Sequence, residues 1–176
     1  FNLESVLHQV LAIDTWSVKE KNLSVSLERG ASVPVHLVGD PNRLAQILTN
    51  LIHNAVKFTA QGTIKVSVNC QTLDSTGCRL EFIVRDTGIG MAPEHLANLF
   101  KPFNQADESI ARRFGGSGLG LSILKSRVDL MDGSIAVESE LGKGSAFFVT
   151  LPFTLDIKGA ANERKKLESI DFSALL

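Results

Sequence analysis

Asn50, Asn54 and Lys57 recur at i, i+4 and i+7 within a stretch of strong helical periodicity. That spacing puts them on one face of a helix. Asparagine suits a helix interior poorly, because its amide competes for backbone hydrogen bonds. A helix carrying two of them either uses the amides or shows a solvated polar face, and these residues alone leave both readings open. If used, an asparagine oxygen can ligate Mg²⁺ and a lysine can neutralise phosphate. A second candidate, Asp86-Thr87-Gly88-Ile89-Gly90, closes an apolar run. A carboxylate at a strand end accepts a hydrogen bond from a ligand amine, and the glycines let backbone come close; a plain acidic turn is the alternative. The third is Gly115-Gly116-Ser117-Gly118-Leu119-Gly120, which opens a helix. Glycines there expose N–H groups and the positive end of the helix dipole, which favours phosphate; a flexible loop closing on a helix is the lesser alternative. The spacing is not that of a dinucleotide turn. Gly142-Lys143-Gly144-Ser145 lacks the upstream glycine and the residue order of a Walker A loop.

The elements that must position these residues follow from periodicity. Val6, Leu7, Val10 and Leu11 predict a helix over 3–19, and residues 23–27 alternate like a half-buried strand. Residues 35–38 read as a short strand. Asp40-Pro41 is a helix start, and Leu44, Ile47, Leu48, Leu51, Ala55 and Phe58 give the apolar stripe of a helix running to about residue 58. Strands are expected at 62–68 and 80–84, a short helix at 94–100, a helix at 119–131 and a closing hairpin at 134–138 and 145–151, with Pro152 ending it. Grouped strands with helices between the groups predict an α+β, two-layer sandwich, with a mixed sheet of about five strands and helices on one face.

The 176 residues are 44% hydrophobic with a formal net charge of -1. Such a chain fills one core. It lacks the basic excess of a nucleic-acid binder and any apolar run long enough to cross a bilayer. The chain starts without Met and is expected to be a piece of something longer. Residues 1–155 are expected to form the domain, and 156–176 a linker towards a further C-terminal domain. Cys70 and Cys78 flank a hairpin turn and could face each other across it, but two reduced thiols are the simpler expectation. His53, between the asparagines, is expected to be solvated or partner-facing, and Trp16 to be packed.

Taken in order, these signals resemble the ATP-binding catalytic domain of sensor histidine kinases, a Bergerat-fold member of the gyrase, chaperone and kinase ATPase superfamily. Asn50-Leu51-Ile52-His53-Asn54-Ala55-Val56-Lys57-Phe58 resembles its N box. Asp86-Thr87-Gly88-Ile89-Gly90, Leu99-Phe100-Lys101-Pro102-Phe103, Gly116 to Gly120 and Gly142-Lys143-Gly144-Ser145 resemble its glycine and phenylalanine boxes. The run Arg112-Arg113-Phe114-Gly115-Gly116-Ser117-Gly118 and the opening Phe1-Asn2-Leu3 look most like hybrid kinases. The resemblance implies that Asp86 accepts from the adenine amine, that Asn54 holds Mg²⁺, that Lys57 meets phosphate, and that Phe58 lines the site; Arg112 and Arg113 either touch phosphate or are solvated loop arginines. It also implies that Gly88, Ile89, Gly90, Phe103, Gly116, Ser117, Gly118, Leu119, Gly120 and Ser145 shape the ATP pocket. Residues 89–117 would form a mobile lid anchored by Phe100 and Phe103.

In the hydrolytic relatives a glutamate four residues before the metal-binding Asn activates water. Here that place is Asn50, and an amide is no general base. Asn50 is instead the expected helper in phosphoryl transfer. The acceptor would lie elsewhere, because none of His8, His36, His53 or His95 has the H-[ED]-x-x-x-P pattern. The implied partners are a dimerisation and histidine-phosphoacceptor domain of the same parent protein and a response regulator or receiver domain. The implied setting is cytoplasmic, with no membrane contact by this domain; whether the parent carries an inner-membrane anchor is left open. A degenerate nucleotide-binding module acting by docking, or a plain ATPase, is the rival reading.

Overall fold

The computed structural model describes residues 1–101 and 120–169. Helix α1 (Leu3–Leu11) is capped by Asn2, whose side chain accepts from the Ser5 N–H. The single helix expected over 3–19 is broken: α2 (Thr15–Glu20) restarts after Asp14, and Thr15 Oγ1 turns back to donate to Ala12 O at 2.6 Å. Trp16 on α2 is 74% exposed, so the packing expected of it is not found. Strands β1 (Ser24–Arg29) and β2 (Leu37–Val38) lead to α3 (Pro41–Phe58). Asp40 caps α3 as expected, accepting from the N–H groups of Asn42 and Arg43 at 2.9 and 3.1 Å.

Strands β3 (Thr63–Leu73) and β4 (Gly77–Asp86) form a longer hairpin than predicted. Asp74 makes the turn. Its Oδ1 accepts from the N–H groups of Thr76 and Gly77, at 2.8 and 2.9 Å, and those bonds hold its carboxyl below the usual range. Register pairs Cys70 with Leu80 and Cys78 with Leu73, so the cysteines are offset rather than opposite; both are free thiols. Of the short helix expected over 94–100, only α4 (Pro93–Leu96) is α-helical. The following turns close by i→i+3 bonds, such as Asn98 N to His95 O. Helix α5 (Gly120–Leu130) precedes the hairpin of β5 (Ser134–Glu140) and β6 (Gly144–Leu155).

The sheet has six strands in a mixed arrangement: β1 is parallel to β3, and the other pairs are antiparallel in the order β3-β4-β6. The far edge of β6 is shared, with β5 pairing residues 144–150 and β2 pairing residues 154 and 155. Pro152 falls in the interval between those two neighbours, so β6 continues through it instead of ending there. Leu44, Ile47, Leu48 and Leu51 of α3, with Leu3 and Leu7 of α1 and Leu124 of α5, bury against Ile64, Val66, Leu80, Phe82 and Leu151 of the sheet. This is the predicted helical layer on one face.

The segment read as a linker begins with a helix, α6 (Ile157–Glu168), which buries none of its residues. Asp156 caps it by accepting from Gly159 N at 2.9 Å, and Glu163 pairs with His36.

Candidate functional site

Alternation along β4 decides where Asp86 goes. Cys78, Leu80, Phe82 and Val84 point into the core, and period two sends Asp86 to the same face at the strand's end. Asp86 is 7% exposed. Burial raises its carboxyl pKa, partly offset by the backbone N–H groups of Gly88 and Ser145. The Gly88 N–H reaches Asp86 Oδ1 at 2.9 Å. Register sets Ser145 of β6 beside Asp86, and Ser139 of β5 beside Ser145. The three side chains therefore form one row across three strands. The row borders a cavity of about 340 Å³ that also touches Thr87, Lys143 and Gly144.

The glycines of this region hold walls together. A Cβ on Gly88 would lie 2.3 Å from Phe58 O, one on Gly90 2.0 Å from Glu140 O, and one on Gly144 2.1 Å from Asp86 O. Gly90 and Gly144 also have φ of +67° and +106°. Each of these glycines thus sits where backbone meets backbone within the protein. Ile89 ties the same pieces: its N–H donates to Phe58 O at 3.2 Å, and its carbonyl accepts from Gly142 N at 2.7 Å.

On α3, Asn50 and Asn54 are linked as their spacing predicts: Asn54 Nδ2 donates to Asn50 Oδ1 at 3.3 Å. Asn50 Nδ2 donates onward to Gly120 O at 3.3 Å, joining α3 to the start of α5. Asn54 Oδ1 has no partner among the described residues. Lys57 Nζ sits over the Phe58 ring, 5.3 Å from its centroid, and desolvation lowers its pKa. His53 is largely exposed, with Nδ1 3.4 Å from Asp14 Oδ1.

Phe103, Arg112, Gly116, Ser117, Gly118 and Leu119 lie outside the described residues. Gly120 is described, and a Cβ there would meet nothing within 4 Å among the described residues.

Three residues of this region escaped the reading of the sequence. Ser139 Oγ accepts from Met91 N at 2.8 Å and contacts Gly144 O and Ser145 Oγ at 3.0 and 2.7 Å. Lys21 Nζ donates to Val56 O and Lys57 O at 2.7 and 3.3 Å, satisfying carbonyls at the C-terminal end of α3. Thr59 is fully buried, and its Oγ1 has no partner among the described residues. Nothing local marks these serine, lysine and threonine residues; the partners of Lys21, and Met91 as a partner of Ser139, lie dozens of positions away, while the other neighbours of Ser139 sit in the β5–β6 turn.

A buried carboxylate acceptor at the cavity wall, a helix with paired amides and glycine-tight connections suit a ligand bearing an amine and an anionic group. Among the described residues no group of three or more His, Cys, Asp or Glu forms a metal cluster.

Comparison with known proteins agrees with this geometry. The profile of the family described as "Histidine kinase-, DNA gyrase B-, and HSP90-like ATPase" matches residues 39–155. The chain belongs to that family, as the ATP-binding catalytic domain of a sensor histidine kinase. It is 41% identical over 156 residues to the signal transduction histidine-protein kinase BarA of Escherichia coli K12, covering 89% of this chain and 17% of that protein. Against the hybrid signal transduction histidine kinase B of Dictyostelium discoideum it is 40% identical over 152 residues, covering 86% of this chain and 8% of that one. The chain thus spans less than a fifth of the length of these relatives. Full-length ShkA, solved in complex with AMPPNP, superposes with a TM-score of 0.74 at 33% identity, covering 89% of this chain and 31% of that one. The catalytic domain of histidine kinase ThkA superposes with a TM-score of 0.67 at 25% identity, covering 86% and 95%.

Proposed function

We propose that this domain binds Mg-ATP, with the adenine amine at Asp86, and donates the γ-phosphate to a histidine on a separate dimerisation and phosphoacceptor domain of its parent. The observation that carries the reading is the buried Asp86 carboxylate at the cavity wall, taken with the Asn50–Asn54 pair on α3. A buried carboxylate costs stability unless a ligand or partner repays it, so it marks a binding site. Asn54 Oδ1 and the phosphates would hold Mg²⁺, which supplies charge neutralisation; Lys57, Arg112 and the glycine-rich stretch from Gly116 to Gly120 would meet the phosphates. Phe58, Ile89, Phe103, Ser117, Leu119 and Ser145 would line or close the pocket. Residues 1–155 would be the catalytic domain, and α6 would lead towards a further domain.

Transfer, rather than hydrolysis, is favoured because Asn50 offers no base and both of its amide ends are engaged, by Asn54 and by Gly120 O. The phosphoryl group would pass on to a response regulator or receiver domain in the cytoplasm. The test is incubation with γ-labelled ATP, with and without a helical domain carrying an H-box histidine. Label is expected on the helical domain alone. Strong self-labelling of this chain, or absence of Mg-ATP binding at millimolar ligand, would contradict the proposal.

A further inference from the structure

Ser139 Oγ makes three polar contacts, and a hydroxyl has one proton and two lone pairs. Met91 N can only donate, so it takes one lone pair at 2.8 Å. Gly144 O can only accept, so it takes the proton at 3.0 Å. In the arrangement that satisfies all three contacts, the Ser145 proton completes the 2.7 Å contact to Ser139 Oγ. The Ser139 hydroxyl is saturated, and the Ser145 hydroxyl is left with lone pairs only. Ser145 stands beside Asp86 in the cross-strand row, and Asp86 as a carboxylate also only accepts.

We propose that Ser139, which need not touch ligand, is a specificity-determining positioning residue: it takes the Ser145 proton and so makes the Asp86–Ser145 wall a pure acceptor surface. Such a wall accepts the two N–H bonds of an exocyclic amine and repels a carbonyl in the same place. It selects a 6-aminopurine nucleotide over its 6-oxo counterpart. This deepens the nucleotide reading above and rests on it.

The experiment measures Mg-ATP and Mg-ITP affinity for this chain and its variants. The two nucleotides differ at the purine 6-position, amine against carbonyl, with the accompanying change of N1 protonation. The unsubstituted chain should prefer ATP. In Ser139→Ala the Ser145 proton is released to turn towards a carbonyl, and the ATP-to-ITP preference should fall about tenfold, the worth of roughly one hydrogen bond. Ser139→Thr keeps the hydroxyl and should keep the preference. Ser139→Ala also strips partners from Met91 N and Gly144 O. Ser145→Ala leaves both of those contacts in place and should lower the preference similarly, so it tests the idea even if the first variant folds poorly. ATP binding with an unchanged preference in either alanine variant overturns this proposal alone. Failure of the unsubstituted chain to bind either nucleotide overturns the nucleotide reading and this proposal together.

Discussion

Asn54 Nδ2 donates to Asn50 Oδ1, one helical turn earlier, and Asn50 Nδ2 donates to the carbonyl of Gly120 at the head of α5. The pair acts as a strut between two helices and fixes which atom of Asn54 faces outward. Replacing Asn50 by Ala removes the strut. We expect Asn50→Ala to cost about 1 kcal/mol of stability and to weaken Mg-ATP binding even though Asn50 itself need not touch the cation. Chemical denaturation and a nucleotide titration in Mg²⁺ and in EDTA check this; unchanged affinity in both would show that Asn54 needs no orientation from Asn50.

Burial of the Asp86 carboxylate opposes folding, and in the proposed function the same group favours binding. Asp86→Asn keeps an oxygen for Gly88 N–H but loses the charge, and nucleotide affinity should fall about ten- to a hundredfold, the range for a charge-assisted hydrogen bond.

The same carboxylate makes nucleotide-free stability depend on pH. Its folded pKa is raised by burial, so the folded state holds the proton more tightly than the unfolded chain. Its contribution to stability is therefore present in acid and is lost as pH rises through the raised value. Asp86→Asn should be the more stable form at neutral pH, and the difference should shrink towards about pH 4. Paired melts across that range decide it; a difference that grows in acid would refute the assignment.

Thr59 Oγ1 is buried and lacks a partner among the described residues. An unmet buried hydroxyl costs about 1–3 kcal/mol. Thr59→Val, of equal shape, should raise the melting temperature by a few degrees. A fall would show that the hydroxyl has a partner in the working protein.

The glycines divide into two kinds. Gly88→Ala would push a Cβ to 2.3 Å from Phe58 O, whereas at Gly120 nothing among the described residues lies within 4 Å. Gly88→Ala should destabilise by about 2 kcal/mol or more, in the way of overpacked sites. Gly120→Ala should leave stability unchanged or raise it by up to about 1 kcal/mol, so any loss of nucleotide affinity there would report on the site and not on the fold. Denaturation curves with titrations on both variants separate the two.

Local signals carried much of the fold. The Asp40-Pro41 start and the apolar stripe of α3 were legible because capping and period-3.6 burial are encoded within a few residues. The break before Asp14 was missed because the apolar pattern runs on across it. The continuation of β6 through Pro152 was missed for another reason: a proline ends a strand only if a neighbour needs its N–H, and whether one does depends on distant strands. Trp16 reads as packing by its type, yet no element among the described residues covers it.

Of the site, the sequence by itself determined the types and order: the paired asparagines, the strand-end aspartate and the glycine clusters, each set by spacing within one element. It also determined the family, because that order is specific. Tertiary structure decided what the residues do to one another. Only strand register sets Ser139, Ser145 and Asp86 in one row, and only helix packing brings Gly120 O to Asn50. Strand register and helix packing arise from burying a shared core, which joins residues dozens of positions apart; local spacing carries no record of that pairing.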